Sequence, residues 1–139
     1  MRGNANILVV DDDRCMVELI VDLLETEGYS AEGVTDPVEA LESILHGAVR
    51  PDAVLLDCLM PRLNADGFIG AIARAHVSLA IILVSGAVDE MQQLADRVAG
   101  VVTKPFTSET LTRAIDQAIP RRSLRRCACG HEPPIALSA

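Results

Sequence analysis

The stretch "AVLLDCLMP", residues 53–61, is a hydrophobic run that ends on a single aspartate, Asp57. Continuous apolar runs of this kind are typical of strands that are covered on both faces of a parallel sheet. An ionised carboxylate at the end of such a strand is costly unless neighbouring groups compensate its charge. The other strands of the sheet must therefore be searched for groups that stabilise the charge of Asp57.

Three further runs share this continuous apolar character, and one weaker strand lies between the first two. They are "ILVV" (7–10), "LAIILV" (79–84), "GVVT" (100–103) and the weaker "SAEGV" (30–34). Helical patterns alternate with the strands. The first, "RCMVELIVDLLETEG", is stopped by Gly28, and the second, "DPVEALESILHG", opens with Asp36 as N-cap and closes at Gly47.

Three more helical patterns, "GFIGAIARA", "DEMQQLADRV" and "SETLTRAIDQAI", complete the alternation. Five strand–helix units in succession predict an open α/β sheet with helices on both faces. In such sheets the functional site lies at the carboxyl ends of the strands, where the winding direction reverses. Asp57 follows its strand at that edge of the predicted sheet.

Polar residues also follow the other strong strands. Asp11, Asp12 and Asp13 follow the first, Ser85 follows "LAIILV", and Lys104, the only lysine of the chain, follows "GVVT". Three carboxylates at one edge repel each other, and magnesium, which prefers oxygen ligands, fits such a cluster. With the metal bound, Asp57 can stay ionised and act as a nucleophile towards phosphorus. The lysine and the hydroxyl would then bind phosphoryl oxygens.

The chain resembles two-component response-regulator receiver domains in four motifs: "ILVVDDD", "LLDCLMP", "VSG" and "TKPF". The resemblance covers residues 6 to about 119, in the family's order. It implies a flavodoxin-like, doubly wound α/β fold with a five-stranded parallel sheet of strand order 2-1-3-4-5 and five helices. The function implied is that of a signalling domain that accepts a phosphoryl group, not that of an enzyme acting on a separate substrate.

The resemblance assigns a role to each residue of the cluster. Asp57 would be the phosphoacceptor, supplied by the phosphohistidine of a sensor histidine kinase or a phosphotransfer protein. Ser85 and Lys104 would bind the phosphoryl group, and the Lys104–Pro105 peptide bond is expected to be cis. The implied ligands of Mg²⁺ (or Mn²⁺) are Asp11, Asp12, Asp57 and the backbone carbonyl of Leu59.

Three features depart from the family's usual pattern. The loop "MPRLNADG" (60–67) is longer than usual, and the stretch from Ser85 to Lys104 is shorter. Val101 stands where the family usually has an aromatic switch residue. Because valine is stiff at χ1 and short, we expect phosphorylation to act on residues 85–99 instead.

Output through protein interaction, phosphorelay or a phosphorylation-dependent dimer is implied by the resemblance, with an unknown downstream protein. Two other functions remain open. One is a scaffold receiver that binds partners without phosphate, and the other is an aspartate-nucleophile phosphatase of the haloacid-dehalogenase type. The second would use the D-x-D formed by Asp11 and Asp13, but the chain has no late pair of adjacent acids after Lys104.

The composition of the 139-residue chain limits the function further. Its net charge of −8 argues against direct nucleic-acid binding. No apolar stretch is long enough to span a membrane or forms a secretory signal, which predicts a cytoplasmic protein with Cys15 and Cys58 as reduced thiols. We expect one receiver domain over residues 1–119, followed by a basic, disordered tail over 120–139.

The tail also contains "CACGH", with Cys127, Cys129 and His131 close together. These three soft ligands are a candidate zinc site. Structural zinc sites, however, usually have four ligands in paired spacing. The sequence therefore favours a disordered tail over a zinc site.

Overall fold

The computed structural model describes residues 5–119 as an alternation of five strands and five α-helices. The strands are β1 (Asn6–Val10), β2 (Ser30–Val34), β3 (Ala53–Leu56), β4 (Ala80–Ser85) and β5 (Gly100–Thr103). The α-helices are α1 (Arg14–Thr26), α2 (Pro37–Leu45), α3 (Ala65–Arg74), α4 (Val88–Leu94) and α5 (Ser108–Ala118). A short 3₁₀ turn, Ala95–Arg97, follows α4.

The strands form one parallel sheet in the order β2-β1-β3-β4-β5, as the resemblance to receiver domains implied. Its two faces carry separate apolar cores. In β1, Leu8 and Val10 pack on one face with residues of α2, α3 and α4, whereas Ile7 and Val9 pack on the other with residues of α1 and α5. Burial on both faces explains why the central strands are continuously apolar.

Capping residues define where the helices begin and end. The Asp13 side chain accepts the backbone N–H groups of Cys15 and Met16 and starts α1. The Asp36 side chain caps α2, as predicted. Gly28 and Gly47, with φ of 95° and 77°, follow the ends of these two helices in the left-handed conformation that glycine adopts readily.

Some boundaries differ from the sequence prediction. Helix α3 begins at Ala65, earlier than "GFIGAIARA" suggested, because the Asn64 side chain caps it by accepting the N–H of Gly67. Ser85 is the last residue of β4, where it pairs with Thr103. Helix α4 has only seven residues and no side-chain cap. The shortened segment between Ser85 and Lys104 is thus visible as a short fourth helix.

Within residues 5–119, none of the helices is long and apolar enough to span a membrane. The predicted tail, including Cys127, Cys129 and His131, lies outside the described residues.

Candidate functional site

The polar residues predicted from the sequence meet at the carboxyl edge of the sheet. Asp11 follows β1, Asp57 follows β3, Ser85 ends β4 and Lys104 follows β5. Because β1, β3, β4 and β5 are successive neighbours, the parallel strands deliver these four side chains side by side. Backbone hydrogen bonds continue past the strand ends: the N–H of Asp57 donates to the Val10 carbonyl at 3.2 Å.

Three carboxylates form one cluster at this edge. One oxygen each of Asp11, Asp12 and Asp57 can be chosen so that all three lie within 4.8 Å of one another. Asp11 is only 3% exposed, whereas Asp12 is open to solvent. Mg²⁺ holds its oxygen ligands at about 2.1 Å, so opposite ligands lie about 4 Å apart. The spacing and the all-oxygen chemistry of the cluster therefore fit Mg²⁺ or Mn²⁺.

Lys104 partly neutralises this cluster from the side of β5. Its Nζ donates to Asp11 Oδ2 at 2.7 Å and lies 3.9 Å from Asp57 Oδ2. The second oxygen of Asp11 accepts the backbone N–H of Asp13 at 3.0 Å. Both oxygens of this buried carboxylate are thus hydrogen-bonded, as a buried charge requires.

Among residues 5–119, the carboxylate of Asp12 has no cationic partner of this kind. Partial loss of solvation, and then the neighbouring charge of Asp11, raise the pKa of Asp12 above its usual range. Asp57 contributes a smaller repulsion in the same direction. The cluster therefore favours a bound cation, because a cation near Asp12 offsets both the lost solvation and the repulsion that raise its pKa.

Ser85 lies at the end of β4, between the strands that lead to Asp57 and Lys104. The side chain is buried, and its Oγ accepts the backbone N–H of Ala87 at 3.1 Å. Its own carbonyl accepts the N–H of Lys104 at 3.0 Å, and the Lys104–Pro105 bond is cis as predicted. A serine hydroxyl can accept one hydrogen bond and still donate another. Ser85 can therefore donate to an anion at the cluster.

The loop between β3 and α3 carries Leu59, whose side chain is 56% exposed. Beside it, Cys58 is buried, and burial raises the pKa of its thiol, against a smaller lowering by a hydrogen bond to Ser85. The loop also holds an ion pair between Arg62 and Asp36 that the sequence did not indicate. The only feature of the sequence that drew attention to this loop was its unusual length.

Val101 occupies an outer position of β5 and is 45% exposed. Its backbone pairs with Leu83 of β4. The valine side chain is short and turned to solvent, so it contributes little to the core on either face of the sheet.

The chain belongs to the response regulator receiver domain family, whose model matches residues 7–116. This match covers both the sheet and the carboxyl-edge cluster. It favours the receiver over the haloacid-dehalogenase-type phosphatase considered from the sequence. Receiver domains are signalling domains of two-component systems, and the acidic cluster of Asp11, Asp12 and Asp57 fits the phosphorylation and Mg²⁺ site of the family.

Curated relatives carry the name response regulator MprA. The protein of Mycobacterium sp. (strain KMS) is 36% identical over 124 residues, which cover 84% of this chain and 51% of the relative. The Mycobacterium leprae (strain TN) protein matches with the same identity and coverage. The chain thus spans about half the length of the curated relatives it matches.

Solved structures with the same fold are also receiver domains. A response regulator receiver domain protein from Clostridium thermocellum aligns with a TM-score of 0.76 and 27% identity, covering 87% of this chain and 98% of that one. The chemotaxis protein CheY4 of Vibrio cholerae aligns with a TM-score of 0.71 and 24% identity, covering 82% and 98%. The second likeness supports the fold alone.

Proposed function

We propose that this chain accepts a phosphoryl group on Asp57 from the phosphohistidine of a sensor histidine kinase or phosphotransfer protein. The observation that carries the proposal is the position of Lys104 Nζ, which lies 2.7 Å from Asp11 Oδ2 and 3.9 Å from Asp57 Oδ2. The Lys104 ammonium lies close to Asp11 and farther from Asp57. It is therefore well placed to contact a phosphoryl group added to Asp57. It also places one positive charge close to Asp57 within the acidic cluster.

In the proposed reaction a carboxylate oxygen of Asp57 attacks phosphorus. The P–N bond of the donor breaks, and the imidazole nitrogen takes its electron pair. Lys104 and the Ser85 hydroxyl then bind phosphoryl oxygens and stabilise their negative charge. This is the role that a preorganised pair of donors beside a nucleophile can perform.

The proposed ligands of Mg²⁺ (or Mn²⁺) are Asp11, Asp12, Asp57 and the backbone carbonyl of Leu59. When bound, the metal supplies positive charge that offsets the charge of the phosphoryl oxygens. The support on the protein side is the crowding of three carboxylates, which adds to the effect of partial burial in raising the pKa of Asp12. Asp13 is not included, because its side chain caps α1.

We further propose that the phosphorylated chain signals in the cytoplasm by binding a downstream protein, by phosphorelay or by forming a dimer. The exposed β5 residue Val101, in place of an aromatic, supports a second candidate, a scaffold receiver whose binding does not depend on phosphate. Partner binding that persists in Asp57→Ala would favour this second function.

The proposal is tested by incubating the full chain with acetyl phosphate, with Mg²⁺ and with excess chelator, followed by intact-mass analysis. We expect the wild-type chain to gain one phosphoryl group with Mg²⁺ and none with excess chelator. Asp57→Asn should gain none under either condition. Asp52→Asn is the matched control, because Asp52 is an exposed aspartate just before β3, at the opposite end of that strand. Equal labelling of Asp57→Asn and wild type would contradict the assignment.

A further inference from the structure

The loop of residues 58–65, which joins β3 to α3, contains a strained turn. The N–H of Leu63 donates to the carbonyl of Pro61 at 2.8 Å, which closes a hydrogen bond across a single residue. That central residue, Arg62, has a φ of 72°. A γ-turn with a positive φ is rare and strained, and arginine has no intrinsic preference for it. Other contacts must therefore hold Arg62 in this conformation.

The rest of the loop is anchored at its base and on its inner side. The N–H of Ala65 donates to the carbonyl of Cys58 at 3.3 Å and closes the loop. Met60 is buried in the core shared with α2, α3 and α4, and Leu63 packs against the same core. The segment that carries the Leu59 carbonyl is therefore a compact loop with defined anchors.

The outer anchor is the ion pair between Arg62 and Asp36. Asp36 uses one carboxylate oxygen to cap α2, accepting the N–H of Val38 at 3.0 Å, and uses the other to accept from Arg62. Because β1 lies between β2 and β3, this pair joins the loop after β3 to the segment after β2, past the end of β1. It thus ties together the two loops that flank Asp11 and Asp12.

We propose that Arg62 is a positioning residue: its ion pair with Asp36 holds the strained loop 58–65 in the conformation that presents the Leu59 carbonyl to the metal at the acidic cluster. The inference rests on the proposed function, because it requires Mg²⁺ to bind there. Without the ion pair, the positive φ of Arg62 is no longer compensated and the loop samples relaxed conformations. Metal binding must then reorder it, which weakens the affinity.

The sign of the effect separates this role from simple electrostatics. Arg62 is a positive charge on the loop that follows Asp57, and a positive charge repels Mg²⁺. Removing it should therefore strengthen Mg²⁺ binding if only long-range electrostatics matter. A positioning role predicts the opposite result. Arg62→Asn is a stringent variant, because asparagine has neither the charge nor the length to reach Asp36. It tolerates a positive φ better than arginine does, so any loosening of the loop reports the lost ion pair and not added backbone strain.

The test is a calorimetric titration of the full chain with Mg²⁺ alone. We expect Arg62→Asn to weaken binding about two- to fivefold, the range that an exposed ion pair can supply. Asp36→Asn keeps the helix cap but breaks the pair, and the double variant should be no weaker than the weaker single variant. Unchanged or tighter binding in Arg62→Asn would overturn the inference.

Hydrogen exchange without metal gives a second, independent measurement. In Arg62→Asn the amides of Leu63 and Ala65 should exchange faster, because their hydrogen bonds close the turn and the loop. Arg97→Gln is the matched control, since it removes the same charge and another exposed ion pair, that of Arg97 with Asp66 at 2.6 Å. It should leave both amides and the Mg²⁺ affinity within about twofold of wild type.

The two measurements also distinguish failure of this inference from failure of the proposed function. If wild type and Asp12→Asn bind Mg²⁺ equally weakly, the assignment of the metal site is wrong. If wild type binds Mg²⁺ through Asp12 but the Leu63 and Ala65 amides of Arg62→Asn exchange at the wild-type rate, the metal site stands and the positioning role of Arg62 is refuted.

Discussion

The ammonium of Lys104 hydrogen-bonds the buried carboxylate of Asp11 at 2.7 Å, across the carboxyl ends of β5 and β1. The two residues are 93 positions apart in the sequence. Their contact spans the ends of β3 and β4, which lie between β1 and β5 in the sheet. The only lysine of the chain thus compensates the most deeply buried acid of the cluster, and this arrangement has measurable consequences.

Replacing Lys104 by methionine should destabilise the metal-free protein. Lys104→Met keeps most of the side-chain volume but leaves Asp11 without its cationic donor, at a cost of about 1–3 kcal/mol. Added Mg²⁺ should recover more stability in this variant than in wild type, because it supplies the missing charge. Thermal unfolding with and without Mg²⁺ measures both effects. A variant as stable as wild type without metal would contradict the role of the pair.

Asp12 and Asp13, although adjacent, should respond to mutation in opposite ways. Asp13→Ala removes the N-cap of α1 and should lower stability by about 1 kcal/mol, with little change in Mg²⁺ affinity. Asp12→Ala should weaken Mg²⁺ binding strongly and leave the metal-free protein as stable as wild type or more stable, since the raised pKa of Asp12 reports lost solvation and repulsion by Asp11.

Calorimetric Mg²⁺ titration and chemical denaturation of both variants decide this point. A larger loss of affinity in Asp13→Ala than in Asp12→Ala would mean that the ligand assignment in the acidic run is shifted by one residue.

The buried thiol of Cys58 should make stability depend on alkaline pH. Burial raises its pKa above the ordinary value of 9.0, so the folded state keeps this proton after the unfolded state has lost it. Its contribution is therefore full below 9.0 and is lost as the pH rises from that value through the raised pKa of the folded state. Denaturation of wild type and Cys58→Ala between about pH 8 and about pH 10 isolates the effect.

The difference in stability between the two proteins should narrow as the pH rises. Alkylation mapped by mass spectrometry gives a check in the same range: the exposed Cys15 should react in the folded state, and Cys58 after unfolding. A Cys58 that alkylates as fast as Cys15 in the folded protein would refute the prediction.

Binding of the phosphate mimic beryllofluoride should change hydrogen exchange most in residues 85–99. The amide of Ala87 donates to Ser85 Oγ, so reorientation of that hydroxyl towards a phosphoryl group acts directly on the start of α4. Val101 itself, short and half exposed, should change little. Val101→Ala should leave phosphorylation-dependent partner binding within about threefold of wild type, since an exposed truncation removes little packing.

Exchange mass spectrometry with and without the mimic, and pull-downs with Val101→Ala, measure these outcomes. Loss of phosphate dependence in Val101→Ala, with normal labelling of Asp57, would show instead that the valine carries the switch.

Much of the fold follows from local patterns in the sequence. Continuous apolar runs predicted β1, β3, β4 and β5 to within a residue or so of their observed bounds, because strands covered on both faces are predominantly apolar. The edge strand β5 is more exposed, yet its run is apolar enough to be recognised. Asp36 and Gly47 marked the ends of α2 because capping depends on residues next to each other in the chain. The edge at which Asp57 lies followed from the alternation of strands and helices alone.

The tertiary structure decided what depends on residues distant in the chain. The packing of the strand ends side by side sets which carboxylate Lys104 contacts. It also sets the partial burial and the neighbouring charge of Asp11 that raise the pKa of Asp12. The ion pair of Arg62 with Asp36 depends on the positive φ of an arginine, which no local preference predicts. Sequence patterns report local propensity and burial, whereas distances between charges arise only once the strands have assembled into the sheet.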